Sequence, residues 1–186
     1  MFIQTEQTPN PATLKFLPGR VVMASGTANF TDAKVAERMS PLAERLFALP
    51  YVTGVFLGAD FITVTKDAES DWYQLKPMVL AAIMEHFTAG RPVVLVETAD
   101  NAVTEVRQEE EDEVVSQIKE LLETRVRPAV AQDGGDIIFH DYADGVVYLR
   151  MQGSCSGCPS STATLKAGIE NMLRHYIPEV VEVQAV

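Results

Sequence analysis

Two side chains in this 186-residue sequence are thiols, and they stand three apart in Cys155-Ser156-Gly157-Cys158-Pro159. A thiolate pair at that spacing is half of the four-ligand set taken by tetrahedral zinc or by an iron–sulfur cluster. The other soft ligands, His86, His140 and His175, lack the His-x₃₋₅-His or Cys/His spacing of a zinc module. A redox dithiol is a second reading, although Ser156-Gly157 stands where thioredoxin-like motifs usually carry Gly-Pro. An inert, packed pair is the third. The glycines and serines around the motif argue against burial and so against that third reading. The way left to complete a metal site is symmetry: two chains, each giving Cys155 and Cys158, assemble four thiolates about a two-fold axis. Such a set fits [4Fe–4S], [2Fe–2S] or zinc, and spacing does not choose among them.

The elements on either side position the pair. A helix is expected from about Glu110 to Val130, with Val114, Ile118, Leu121, Leu122 and Val126 on one face and the acids Glu109–Glu113 at its positive end. Asp133-Gly134-Gly135-Asp136 breaks it, the two acids serving as turn and strand-entry residues. A hairpin follows, Ile137–Tyr142 and Val146–Met151 about Asp144-Gly145. The cysteine loop then leads into a helix from Pro159 to Tyr176, with Leu165, Ile169, Met172 and Leu173 inward, and Val180–Gln184 closes as a strand. In this αββαβ order Cys158 falls near the N-cap and Pro159 at the first helical position, where its missing N–H costs nothing. The helix start carries orphan N–H groups and partial positive charge, which lowers a thiolate pKa and suits an anionic cluster.

The preceding segment has no cysteine. It reads as strands Phe2–Glu6 and Leu14–Phe16, then a helix capped by Ser40 with Pro41 at its first position. A hairpin, Val52–Leu57 and Phe61–Lys66, comes next. A helix over Ser70–Phe87 is expected to break or restart at Pro77, and Pro92–Val96 to form a last strand. Trp72 and Tyr73 are expected to pack at the helix start. The whole is an α+β chain of two small domains joined by an acidic linker. The expected limits are 1–97 for the first domain, 98–112 for linker and helix start, and 113–186 for the second.

Residues 97–113 hold eight acids and one base, Arg107, within a net charge of −11. This is the composition of a solvated linker. With a pI near 4.7 and no basic cluster, nucleic acid is not an expected partner. No apolar run of about 18 residues is present, so no membrane helix is expected. Residues 1–7 lack the basic and apolar stretches of a signal peptide. Two close thiols then point to metal or redox chemistry in a reducing compartment.

Gln132-Asp133-Gly134-Gly135-Asp136-Ile137, followed by Met151-Gln152-Gly153-Ser154-Cys155-Ser156-Gly157-Cys158-Pro159-Ser160-Ser161 and Thr164–Glu170, resembles the C-terminal NifU domain of Nfu-type iron–sulfur carriers. Phe2–Glu6, Thr8–Pro11 and Leu14–Phe16 resemble the N-terminal domain of the same proteins. The resemblance implies an Nfu-type N-terminal domain over 1–97, for client or partner recognition, and a NifU-like domain over 113–186. It implies a cluster carrier or scaffold and not an enzyme. Cys155 and Cys158 would ligate one [4Fe–4S] cluster per homodimer, with [2Fe–2S] ranked second. The implied partners are the chain itself, apo iron–sulfur clients and an upstream assembly scaffold. The expected location is the cytoplasm, as for a bacterial-like protein of this kind, with the mitochondrial matrix as the alternative for a processed chain. The alternatives are a CxxC dithiol oxidoreductase and a zinc-binding interaction module.

Overall fold

The computed structural model describes residues 1–95, 113–156 and 159–186, and the chain divides into two compact units, Met1–Ala102 and Val103–Val186. The acidic segment 98–112 and Cys158 lie outside the described residues. Among those described, no helix is long and apolar enough to cross a membrane.

The first unit is a five-stranded antiparallel sheet in the order β1-β2-β5-β4-β3. Its strands are β1 (Gln4–Gln7), β2 (Thr13–Leu17), β3 (Ala28–Phe30), β4 (Val52–Leu57) and β5 (Ile62–Lys66). Alternate residues Leu14 and Phe16, Val55 and Leu57, and Ile62 and Val64 share one core with residues of three helices, as the period-2 pattern of a half-covered sheet requires. The helices are α1 (Ala33–Met39), α2 (Pro41–Phe47) and α3 (Trp72–Thr88). Three caps set their starts: Asp32, Ser40 and Asp71 each accept a backbone N–H, from Lys34, Ala43 and Tyr73.

The expectations for this unit need four corrections. α3 runs through Pro77 without a break. The carbonyl that loses its partner belongs to Tyr73, which is 87% exposed, so one missing bond costs less than abandoning a helix that buries Leu75, Val79, Ile83 and Phe87. Tyr73 is therefore not packed, whereas Trp72 is: it sits against the core and donates from Nε1 to the Pro11 carbonyl at 3.2 Å. Residues 92–95 are not a strand. They are held by Ser40 Oγ donating to the Val93 carbonyl at 2.6 Å and by Leu95 N–H donating to Met39 O at 2.9 Å, while Val93 and Val94 lean on the core. β3 and α1 go unread in the sequence, one because three residues show no period, the other because its seven residues bury only Ala36.

The second unit has the expected αββαβ order, with one modification to its first helix. α4 (Glu113–Leu121) passes through a π-helical turn, Leu122–Val126, into α5 (Arg127–Gln132). Pro128 has no N–H for the carbonyl a turn back, and Arg127 N–H bonds to Leu122 O, five residues away, instead of four. The strands are β6 (Gly135–Ala143), β7 (Val146–Gly153) and β8 (Glu182–Ala185). β6 and β7 form a hairpin through Asp144 and Gly145, whose φ values of 53° and 80° match a two-residue primed turn. β8 runs parallel to β7, which needs a crossover, and α6 (Pro159–Tyr176) supplies it. Ile118, Leu122, Val126 and Val130 from the first helix meet Ile137, Val147, Leu149 and Val183 from the sheet and Ile169 and Leu173 from α6.

Candidate metal-ligating corner

Cys155 stands in the turn between the last residue of β7 and the first of α6. Gly153 ends the strand with φ of 62°, a left-handed conformation that turns the chain away from the sheet. Ser154 then sews the turn to the Asp133-Gly134 bend: its N–H donates to Gly134 O at 3.2 Å and its hydroxyl to Asp133 O. From the helix side, Thr162 Oγ1 donates to Cys155 O at 3.2 Å. The corner is thus tied to the bend that ends α5 and to the first turns of α6, as a ligand-bearing loop on rigid elements should be.

The Asp133-Gly134-Gly135-Asp136 bend is itself anchored. Asp136 is 3% exposed, and its two carboxylate oxygens accept from Arg127 Nε and Nη2 at 2.9 and 2.8 Å, a bidentate pair. Arg127 also reaches Glu123 through Nη1 at 2.7 Å, and Asp136 Oδ1 accepts from Ile137 N–H at 2.8 Å. The Asp136 bond leads the causes that raise the guanidinium pKa above its ordinary value, so Arg127 is held as a cation. Sequence reasoning assigned Asp136 to strand entry and missed this pairing. The signal was the i,i+4 spacing of Glu123 and Arg127 ahead of a strand whose second residue is an acid.

The environment of Cys155 reverses two expectations. It is 6% exposed and belongs to the apolar core of its unit, so the glycines and serines of the motif do not keep it in solvent. Burial pushes its thiol up to about 11; the Ser154 hydrogen bond works against that rise and the charges of Asp133 and Asp136 add to it. The lowered pKa of a helix-start thiolate is therefore not a property of Cys155, which lies four residues before α6 and on the sheet side of the turn. Cys158, the residue next to Pro159 at the helix start, lies outside the described residues.

The structure does not bring the histidines to this corner. His140 is exposed on β6 and His175 exposed in the last turn of α6, against the Tyr176 ring, while His86 is buried in the other unit. Among the described residues no three His, Cys, Asp or Glu side chains converge on a common point. The first unit has a groove of about 670 Å3 between β1, β2 and the start of α3, lined by Trp72, Tyr73 and Lys76 among others, and no thiol, imidazole or carboxylate lines it.

Comparison with known proteins covers both units. The family model described as scaffold protein Nfu/NifU N terminal matches residues 3–90, and that described as NifU-like domain matches residues 118–184. The NFU1 iron-sulfur cluster scaffold homolog, mitochondrial, of Homo sapiens is 54% identical over 187 residues, covering all of this chain and 72% of that protein. The protein of the same description in Drosophila willistoni is 53% identical over 186 residues, and this chain spans 64% of its length. Both descriptions include the word mitochondrial, which agrees with the processed-chain expectation and gives the cytoplasmic one no support. Among solved structures, a NifU-like protein from Saccharomyces cerevisiae aligns at 28% identity over 51% of this chain and 85% of that one, with a TM-score of 0.46, too low to establish a shared fold.

Proposed function

This chain belongs to the Nfu family of iron–sulfur cluster scaffold proteins, and from that premise we propose that it binds a cluster as cargo and delivers it to apo-proteins. The cargo in this proposal is one [4Fe–4S] cluster per homodimer, held by Cys155 and Cys158 of each subunit. The observation that carries it is the placing of Cys155 at the strand-to-helix corner of the unit matched by the NifU-like family, with the second thiol three residues on. An upstream scaffold supplies the cluster, and residues 1–97 recognise clients. The relatives' descriptions support a mitochondrial setting, where thiols stay reduced.

The protein's own residues set the cycle of loading and release. Binding requires the thiolate, so loading drives a proton off Cys155 against the apolar surroundings that hold it. Release by thiolate exchange, in which acceptor sulfurs replace those of Cys155 and Cys158 on iron, returns a neutral thiol to the core. Burial thus favours the empty state of this ligand, which suits a site that must let go. A site divided between subunits adds a second route, since separating them uncovers the ligands.

The test is anaerobic reconstitution of the full chain with iron and sulfide, followed by iron analysis, Mössbauer spectroscopy and sizing. About two irons per chain in a dimer, with cubane parameters, is the expected result. Iron retained equally by Cys155→Ser/Cys158→Ser removes the reading.

The dithiol reading keeps one supporting observation: β7, α6 and β8 form a βαβ unit, with Cys155 in the turn between β7 and α6. A thiol pushed up to about 11 offers very little thiolate at neutral pH, which weighs against Cys155 as an attacking group. Rapid metal-free turnover of disulfide substrates by a monomer would favour this reading over cargo.

A further inference from the structure

We propose that Gly135 is a positioning residue for the cysteine corner: the empty space at its α-carbon sets where the Cys155 sulfur lies. Its functional consequence rests on the reading of Cys155 as a cargo ligand, and its packing claim does not. Gly134 and Gly135 are neighbours with different reasons to lack a side chain. Gly134 has φ of 79°, so the bend needs its conformational freedom. Gly135 is not among the residues of positive φ; it opens β6 in strand conformation, opposite Gly153, and L residues adopt that backbone freely.

The closest obstacle to a side chain at Gly135 is the Cys155 sulfur, with backbone atoms of Cys155 and Gln152 behind it. A Cβ there would fall far inside the contact radius of Cys155 Sγ, and only 3.0 Å from both Cys155 N and Gln152 O. The strand cannot yield, because the next residue is Asp136, gripped by Arg127 on both oxygens and pinned by its own bond to Ile137 N–H. The preceding residue is held as well, since Gly134 O accepts from Ser154 N–H. A methyl group at 135 is therefore relieved by moving the sulfur out of its core position, not by moving β6. The thiol fills the site where a side chain would stand, and the Asp133–Asp136 bend becomes the floor on which a ligand is set.

The experiment uses the full chain in two backgrounds. With Cys158→Ser, Cys155 is the single thiol, and its reaction with an aromatic disulfide dye is expected to be slow and to quicken about tenfold or more on Gly135→Ala. Denaturant midpoints complete the test. Gly135→Ala lowers the midpoint of the second unit when Cys155 is present, and most of that shift disappears in Cys155→Ala, where the sulfur is gone. If Gly135→Ala fails to fold alone, Gly135→Ala/Cys155→Ala is expected to fold. An unchanged dye rate, an equal midpoint shift in both backgrounds, or a double variant that also fails to fold overturns the packing claim. Iron loading then separates it from the cargo reading. Gly135→Ala with both cysteines intact is expected to retain less than about half the iron of the parent chain. Equal loading overturns the positioning role, whereas a parent chain that holds no iron sinks the cargo reading and leaves the packing claim to the dye and the midpoints.

Discussion

Each unit buries a titratable group that burial drives toward its neutral form, His86 in the first and Cys155 in the second. The resemblance ends there. His86 donates from Nε2 to the Pro92 carbonyl at 3.0 Å, its Nδ1 has no hydrogen-bond partner, and Arg45 and Arg91 disfavour a second proton. A proton on Nδ1 would have no acceptor and two positive charges nearby. The imidazole is biased toward its neutral form, and it tethers the end of α3 to the chain that follows. Cys155 sits instead in the turn between β7 and α6, on a corner backed by the bidentate pair of Arg127 and Asp136. Burial makes a histidine structural where its polar end is closed off by the fold. It makes a cysteine a thiol that must lose a proton before it can serve as the ligand proposed above.

The largest break in this comparison should come from the cysteines. Cys158→Ser, with or without Cys155→Ser, is expected to take iron after reconstitution to background while the far-ultraviolet spectrum of the chain persists. Undiminished iron would erase the functional difference between the two buried groups.

Next is the anchor beneath the corner. Arg127→Met leaves Asp136 buried without its cation and should destabilise the second unit by about 3 kcal/mol in urea unfolding, with the first unit's transition unmoved. An unshifted midpoint would mean the bend does not depend on the pair.

The first unit is tested by acid. The folded pKa of His86 lies below its ordinary 6.5, so its contribution is fully present above that value. As pH falls below 6.5 the unfolded chain takes a proton that the folded chain refuses, and stability declines by up to about 1.4 kcal/mol per pH unit until the folded group titrates. His86→Gln keeps a donor for Pro92 and should flatten that decline in pH-dependent unfolding; a slope unaltered by the substitution would show the imidazole is not its source. The smallest effect belongs to the pair between Arg45 of α2 and Glu85 of α3, with Glu85 71% exposed. Glu85→Ala should change stability by less than about 0.5 kcal/mol, and a larger loss would mark that surface pair as coupled to His86.

The second unit was the more legible in sequence because its signals are strong and local. Asp144-Gly145 names its hairpin turn, Pro159 names the start of α6, and the spacing Leu165, Ile169, Leu173 names the inward face. The π turn at Leu122–Val126 was not legible: Pro128 announces a lost hydrogen bond, but whether a helix kinks, stops or widens depends on whether Val126 and Val130 both still reach the core. In the first unit Pro77 misled for the same reason, since the packing of Leu75 and Val79 outweighs one missing bond. The valines at 93 and 94 have the composition of a strand, yet the sheet already ends at β1 and β3, and they join the core without pairing.

Sequence alone determined the ligand count: two thiols three residues apart, a helix start beside them, and too few other soft ligands at metal spacing for one chain to complete a site. Residue type and local spacing decide such things, and they need no knowledge of the fold. Tertiary structure decided the state of the thiol. Cys155 is buried and its pKa raised because it joins the core that holds Ile169, Leu173 and the sheet residues, and Gly135, next to the Arg127-clamped Asp136, lies against its sulfur. Of those groups, Ile169, Leu173, Gly135, Asp136 and Arg127 lie about 14 to 28 positions away, so no local reading of Cys155-Ser156-Gly157-Cys158 could have foreseen the desolvation that governs its thiol.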